Sequence, residues 1–163
     1  MQYSSMFLIP LIVFSPLSFA QNTSEGETGN VAKEYSGILI PDSAVLINTP
    51  VVTITGPKNS VRHKTTIYAR VSDLPAGLPA MTHLAGQAIN VRLENPEEIN
   101  LPLDFTMSYD PQKVTVPNHL AVLLYSDGQW EVTTIINIDI MAHTITANSG
   151  IFSVMVPVEF TGL

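Results

Sequence analysis

A chain of 163 residues with fourteen acidic and seven basic side chains carries a formal charge of −7 at neutral pH, and it contains no cysteine. Nucleic acids and anionic membranes both call for clustered cations to displace counterions, so this balance argues against either as a partner. The missing cysteines exclude disulfide staples, thiolate metal sites, cysteine nucleophiles and lipoprotein anchoring.

The first segment in chain order is an apolar run from Met6 that ends in Ser18-Phe19-Ala20, followed at once by polar Gln21-Asn22-Thr23-Ser24. Small residues at 18 and 20 suit signal peptidase, so residues 1–20 are predicted to be a secretory signal cleaved after Ala20. Pro10 and Pro16 interrupt the run, which is shorter than the about 20 apolar residues of a membrane span, so no stable membrane anchor is expected. The protein is expected to be secreted or periplasmic. Residues 21–35, rich in Asn, Thr, Ser, Gly and Glu, are predicted to form a flexible polar leader. Residues 36–163 are left for a single folded domain.

From residue 36 onward, short apolar or alternating runs recur between turn residues, at 36–40, 51–55, 65–71, 88–94, 101–109, 120–126, 129–138, 143–147 and 151–158. Ile89, Val91 and Leu93 alternate with Asn90 and Arg92, and Leu103, Phe105 and Met107 alternate with Asp104, Thr106 and Ser108. Period two in segments rich in Val, Ile, Thr and Tyr marks strands with one buried face. No stretch sustains a helical period, and twelve prolines would break most helices. The predicted fold is all-β, a two-sheet β-sandwich of about eight to nine short, mostly antiparallel strands. The connection from Ser72 to Gln87 is too long and too proline-rich for a hairpin and is expected to cross between sheets.

Within Leu120–Val132, Asp127-Gly128 can adopt the positive φ angles of a type I′ turn, which predicts a tight hairpin. Pairing outward from the turn sets Tyr125 opposite Trp130 and Leu123 opposite Val132, with Gln129, Glu131 and Ser126 on the other face. Trp130, the single tryptophan, is therefore expected to be sealed between the sheets beside Tyr125.

Several of these stretches also carry a resemblance. Ile40-Pro41-Asp42-Ser43-Ala44, then Val51–Thr55, Leu103–Pro111, the Asp127-Gly128 hairpin, Ala142–Ala147 and Ile151–Val154 occur in the order and spacing of the ZU-five domain. That β-sandwich module is found in ankyrins, in netrin receptors and in bacterial secreted proteins. Ser43 departs from the family's usual glycine, and the loop after Thr55 is more basic. The resemblance implies a protein-binding module. Some relatives cleave themselves at a His-Phe-Ser sequence; here Ile151 precedes Phe152-Ser153. Isoleucine cannot take a proton, so self-cleavage is not expected unless His143 reaches across, and Ser153 is assigned an ordinary strand position.

No other chemistry stands out. His63, His83, His119 and His143 lack any metal-ligand spacing and read as solvated turn residues, so no metal is assigned. Asn95-Pro96-Glu97-Glu98 reads as an acidic turn. No nucleophile elbow, phosphate loop or dinucleotide fingerprint occurs, so neither a catalytic residue nor a cofactor is assigned. The candidate partner-binding residues are Lys58, Arg62, Lys64 and Arg70, cations in a segment without acids. The competing account is that they protect an edge strand. The function expected is a non-enzymatic, secreted interaction module for an unknown protein partner. The alternative is a glycan-binding domain using Tyr68, Tyr109 or Trp130, and a hydrolase with a site assembled only in space is a remote third.

Overall fold

The structure, a computed structural model, describes residues 32–162. The predicted signal, its cleavage point and the leader up to residue 31 lie outside those residues. In chain order the strands are β1 (Glu34–Leu39), β2 (Val45–Asn48), β3 (Thr53–Gly56), β4 (Thr65–Val71), β5 (Thr82–Leu84) and β6 (Ile89–Leu93). They continue with β7 (Leu103–Ser108), β8 (Leu120–Ser126), β9 (Gln129–Val132), β10 (Thr134–Asp139), β11 (Thr144–Ser149) and β12 (Val154–Phe160). The larger sheet runs β1-β4-β6-β12-β8-β9, with β5 beside β12, and the smaller runs β10-β11-β7-β3-β2. The two antiparallel sheets form a sandwich. Among the described residues no helix is long and apolar enough to cross a membrane.

The alternating residues meet between the sheets. Phe105, Met107 and Ile145 of the smaller sheet face Ile67, Val91, Val122 and Met155 of the larger, all buried in one cluster. Phe105 also meets Phe152 edge to face, with ring centroids 6.0 Å apart. Each such aliphatic or aromatic side chain withdrawn from water stabilises the fold by about 1.5–3 kcal/mol.

Four details of the strands and their connections differ from expectation. Glu34 and Tyr35 belong to β1, where Tyr35 lies opposite Ala69, so the domain begins inside the span read as leader. The short strands β2 and β5 left little periodic signal in four and three residues. The run 129–138 is two strands bent at Thr133, whose amide and hydroxyl both donate to the Val122 carbonyl, at 3.0 and 2.9 Å. That corner carries the chain from the larger sheet to the smaller.

The fourth concerns residues 72–87, which do not cross between sheets. β4 and β6 pair directly, from Ile67 opposite Leu93 to Val71 opposite Ile89, so the connection leaves the larger sheet and returns to it. In between it supplies Leu78 and Leu84 to a second apolar cluster with Ala121, Leu123, Val154, Val156 and Val158. This cluster lies on the outer side of the larger sheet, since Val122, Leu124 and Met155 of the same strands belong to the core between the sheets.

Trp130 takes its place from this arrangement. Asp127 and Gly128 have φ angles of 50° and 84°, and the hairpin register is the predicted one, with Tyr125 opposite Trp130. The two rings meet at 5.1 Å and 65°. They belong, however, to the outer cluster and are only partly buried, not sealed between the sheets. The indole N–H donates to the Gly77 carbonyl at 2.9 Å, pinning the 72–84 connection over the sheet. Replacing Trp130 by Phe is expected to keep the fold and speed amide exchange through residues 73–81, measured by hydrogen–deuterium exchange mass spectrometry.

Pro157 lies inside β12, where a missing N–H would normally break the ladder. Its carbonyl accepts from Ala85 N at 2.9 Å, so its nitrogen points to the same edge, into the gap between β5 and β6. Gly86 fills that gap: a Cβ there would stand 2.7 Å from the Ser108 carbonyl oxygen and 3.0 Å from Pro157 Cγ. Gly86→Ala is expected to lower stability by about 1–3 kcal/mol in denaturant titrations, because a backbone oxygen cannot swing aside.

Candidate functional site

The basic segment divides in two. Lys58, Arg62 and Lys64 lie exposed on the loop of residues 57–64, whereas Arg70 lies near the end of β4. Six residues at about 3.4 Å each put Arg70 about 20 Å along the strand from Lys64. Arg70 sits opposite Glu34 of β1, beside the ion pair of Arg92 with Glu34 at 3.0 Å, so it belongs to a face of mixed charge. β4 is an interior strand between β1 and β6, and edge protection therefore does not account for these cations.

The loop is held from below. Ser60 and Val61 are buried, and Val61 bridges to Ile99. The Ser60 carbonyl accepts from Asn100 N at 2.8 Å and from Leu101 N at 3.2 Å, and the Ser60 hydroxyl donates to the Pro57 carbonyl at 2.6 Å. Arg62 N donates to the Glu98 carbonyl at 2.8 Å, Asn59 N to that of Pro41, and Asn100 Nδ2 to that of Asn59 at 2.9 Å. Asn59 takes the left-handed turn, with φ of 62°. His63 pairs with Glu98 at 2.8 Å, and among the described residues Lys58, Arg62 and Lys64 make no ion pair. A fixed backbone thus presents three solvated cations.

The aromatic residues do not assemble into a platform. Tyr109 is 5% exposed and packs edge-on against His143, with centroids 5.8 Å apart. The Arg92 guanidinium lies 3.7 Å from the centroid of Tyr68 and covers that ring. Trp130 is occupied with Tyr125 and Gly77. Ser153 lies in a bend just before β12 and not within a strand; its carbonyl accepts from Val91 N at 2.9 Å. His143 forms the turn before β11, with φ of 53°. A shallow cleft of about 380 Å³ opens between Leu84, Gln87, Tyr109 and Lys113. Its carboxylate, Asp110, accepts from Gln112 N at 3.0 Å and lies 4.0 Å from Lys113 Nζ, so it is engaged in the local turn.

Sequence reasoning missed Glu159, a carboxylate only 2% exposed in β12. Thr115 N donates to both its oxygens, at 3.1 and 2.9 Å, and Val116 N donates to Oε1 at 2.6 Å. His83 Nε2 stands 2.9 Å from Oε2 and 2.9 Å from the Lys113 carbonyl. Both neighbours are acceptors, so that nitrogen carries a proton. His83 is thus a strand residue of β5 tied to a buried acid, not a solvated turn residue. The available signal was positional: in β12 the apolar Val154, Val156 and Val158 share one face and Glu159 falls on the other.

Burial raises the Glu159 pKa, but the Thr115 and Val116 amides and then His83 outweigh it, and the net shift is downward from 4.5. A lowered carboxylate pKa contributes stability that is complete above the unfolded value and is lost as pH falls through the folded one. Glu159→Gln is expected to cost about 2–4 kcal/mol at neutral pH. Its unfolding free energy should also fall less steeply than that of the unsubstituted chain as the pH drops below about 4.5, as followed by chemical denaturation at a series of pH values.

Among the described residues no three His, Asp or Glu side chains gather into a group able to hold a metal ion. No protein-family model matches the chain, and no curated protein matches it.

Proposed function

We propose that the protein is an exported, non-enzymatic β-sandwich module that docks an acidic protein surface through the 57–64 loop. The observation that carries this reading is the pairing of a backbone fixed at Asn59, Ser60 and Arg62 with three solvated cations on a chain of net charge −7. A loop already held in one conformation loses little entropy on docking. Clustered cations steer an acidic partner and fix its orientation more than they add affinity. Arg70 stands outside this surface and is not assigned to it. The resemblance to ZU-five domains, among which the ankyrin module binds spectrin, supports the same class of function.

Capture of a protein partner by the purified chain is expected to weaken as salt rises, since exposed charges are screened within about 8–10 Å at physiological ionic strength. Lys58→Glu combined with Lys64→Glu is expected to weaken capture about tenfold or more at low salt, measured by surface plasmon resonance against the captured partner. Capture that the double reversal leaves intact would remove the loop from the binding surface.

A further inference from the structure

Residues 72–84 run as a strap over an apolar face of the larger sheet. From Asp73 to Met81 none of them is itself buried, and Leu74 and Met81 are exposed. Beneath the strap lie Ala121, Leu123, Val154, Val156 and Val158, against which Leu78, Leu84 and Trp130 pack. A segment with few buried contacts of its own is the kind that opens locally while the rest of a fold persists. Met81 adds strain, because its φ of 62° is one that a side chain seldom adopts.

The C-terminal end of the strap is fastened through β5. There Leu84 lies opposite Val158 and His83 opposite Glu159, so successive side chains serve the apolar cover and the buried acid in turn. Thr115 N donates to both Glu159 oxygens, Val116 N donates to Oε1, and His83 Nε2 donates to Oε2 at 2.9 Å. All three partners are donors, an arrangement that suits a carboxylate and leaves a carboxylic acid without an acceptor for its proton. A proton on Glu159 therefore sets two donors against each other, and one contact must open. Thr115 and Val116 contribute main-chain amides that lead into β8, whereas His83 stands on a strand of three residues with its side chain 41% exposed. The His83 contact is the one that yields.

No other charge takes its place. Leu120 of β8 lies opposite Glu159, and Lys113 Nζ is 4.0 Å from Asp110. His119, in the turn Pro117–His119 packed on β12, makes no ion pair among the described residues. We propose that the contact of His83 with Glu159 is an acid-released latch. When Glu159 takes up a proton, β5 and the strap lift from the outer face of the larger sheet and expose its apolar cluster, while the two sheets stay packed. Burial raises the Glu159 pKa, but the Thr115 and Val116 amides and then His83 hold it below 4.5. The latch is thus complete above that pH and is lost as the pH falls through the lower, folded value.

Trp130, the single tryptophan, packs in the same cluster and bonds to Gly77, so its emission reports the position of the strap. The test is an acid titration of the purified chain, followed in parallel by tryptophan fluorescence with acrylamide quenching and by far-ultraviolet circular dichroism. The result expected is a shift of the emission to longer wavelength and stronger quenching below pH 4.5, at a pH where the β-sheet signal is still that of the neutral chain. His83→Ala should show the shifted emission already at neutral pH and have no acid step. His83→Gln keeps a donor but cannot titrate; it should stay latched and keep the step, which assigns the proton to Glu159. The glutamine variant decides the matter if the alanine variant folds poorly. The proposal is overturned if fluorescence and dichroism change together, if no fluorescence step occurs, if His83→Ala behaves like the unsubstituted chain, or if His83→Gln loses the step.

Discussion

The pairing of β8 with β12 is the constraint on which the rest of the structure depends. Both strands are buried on both faces, from Leu120 to Leu124 and from Val154 to Glu159. A strand apolar on one face needs one covering layer, but these need two. The smaller sheet covers one side. The other is covered by the 72–84 connection, which has few ladder bonds of its own beyond the three pairs of β5 with β12. Leu78, Leu84 and the indole bond to Gly77 hold it over the sheet. The length and proline content of this connection are thus the consequence of spanning an apolar surface on one sheet, not of reaching the other.

The same fact explains where the sequence was readable. Alternation in β6 and β7 identified which side chains meet in the core, and Asp127-Gly128 set the register of its hairpin correctly, because turn chemistry and period two act over a few residues. Trp130 was misplaced by a different kind of question. In Leu120-Ala121-Val122-Leu123-Leu124 both faces are apolar, so period two separates the faces without saying which one the other sheet covers. Only the tertiary path of residues 72–84 decides that. Thr133 could not be recognised as a corner either, since its two bonds to Val122 lie within an unbroken extended run.

The candidate site was legible as composition and illegible as geometry. Lys58, Arg62, Lys64 and Arg70 stood out by the absence of neighbouring acids in sequence. The fold brings acids to part of that segment: Glu98 reaches His63, and Glu34 comes opposite Arg70. Both encounters depend on long-range pairings, one through the bridge of Val61 with Ile99 and the other through β1 with β4. What remains solvated is the part of the loop whose backbone is tied down, leaving its cations the freedom to meet a partner.

Charge is segregated by sheet, and this segregation gives the molecule two chemically distinct surfaces. Every Lys and Arg lies outside the strands of the smaller sheet, whose outward side chains are mostly Thr and Asn, with Leu46 and Asp104 among them. The larger sheet carries Glu34, Arg70 and Arg92 on its outer face and keeps one acid, Glu159, buried. That buried carboxylate is bonded to the backbone leading into β8 and, through His83, to β5. It therefore joins the strand buried on both faces to the two segments beside it. The hydrophobic layers alone would leave the ends of those segments free to slide, and the directional bonds at Glu159 fix their positions.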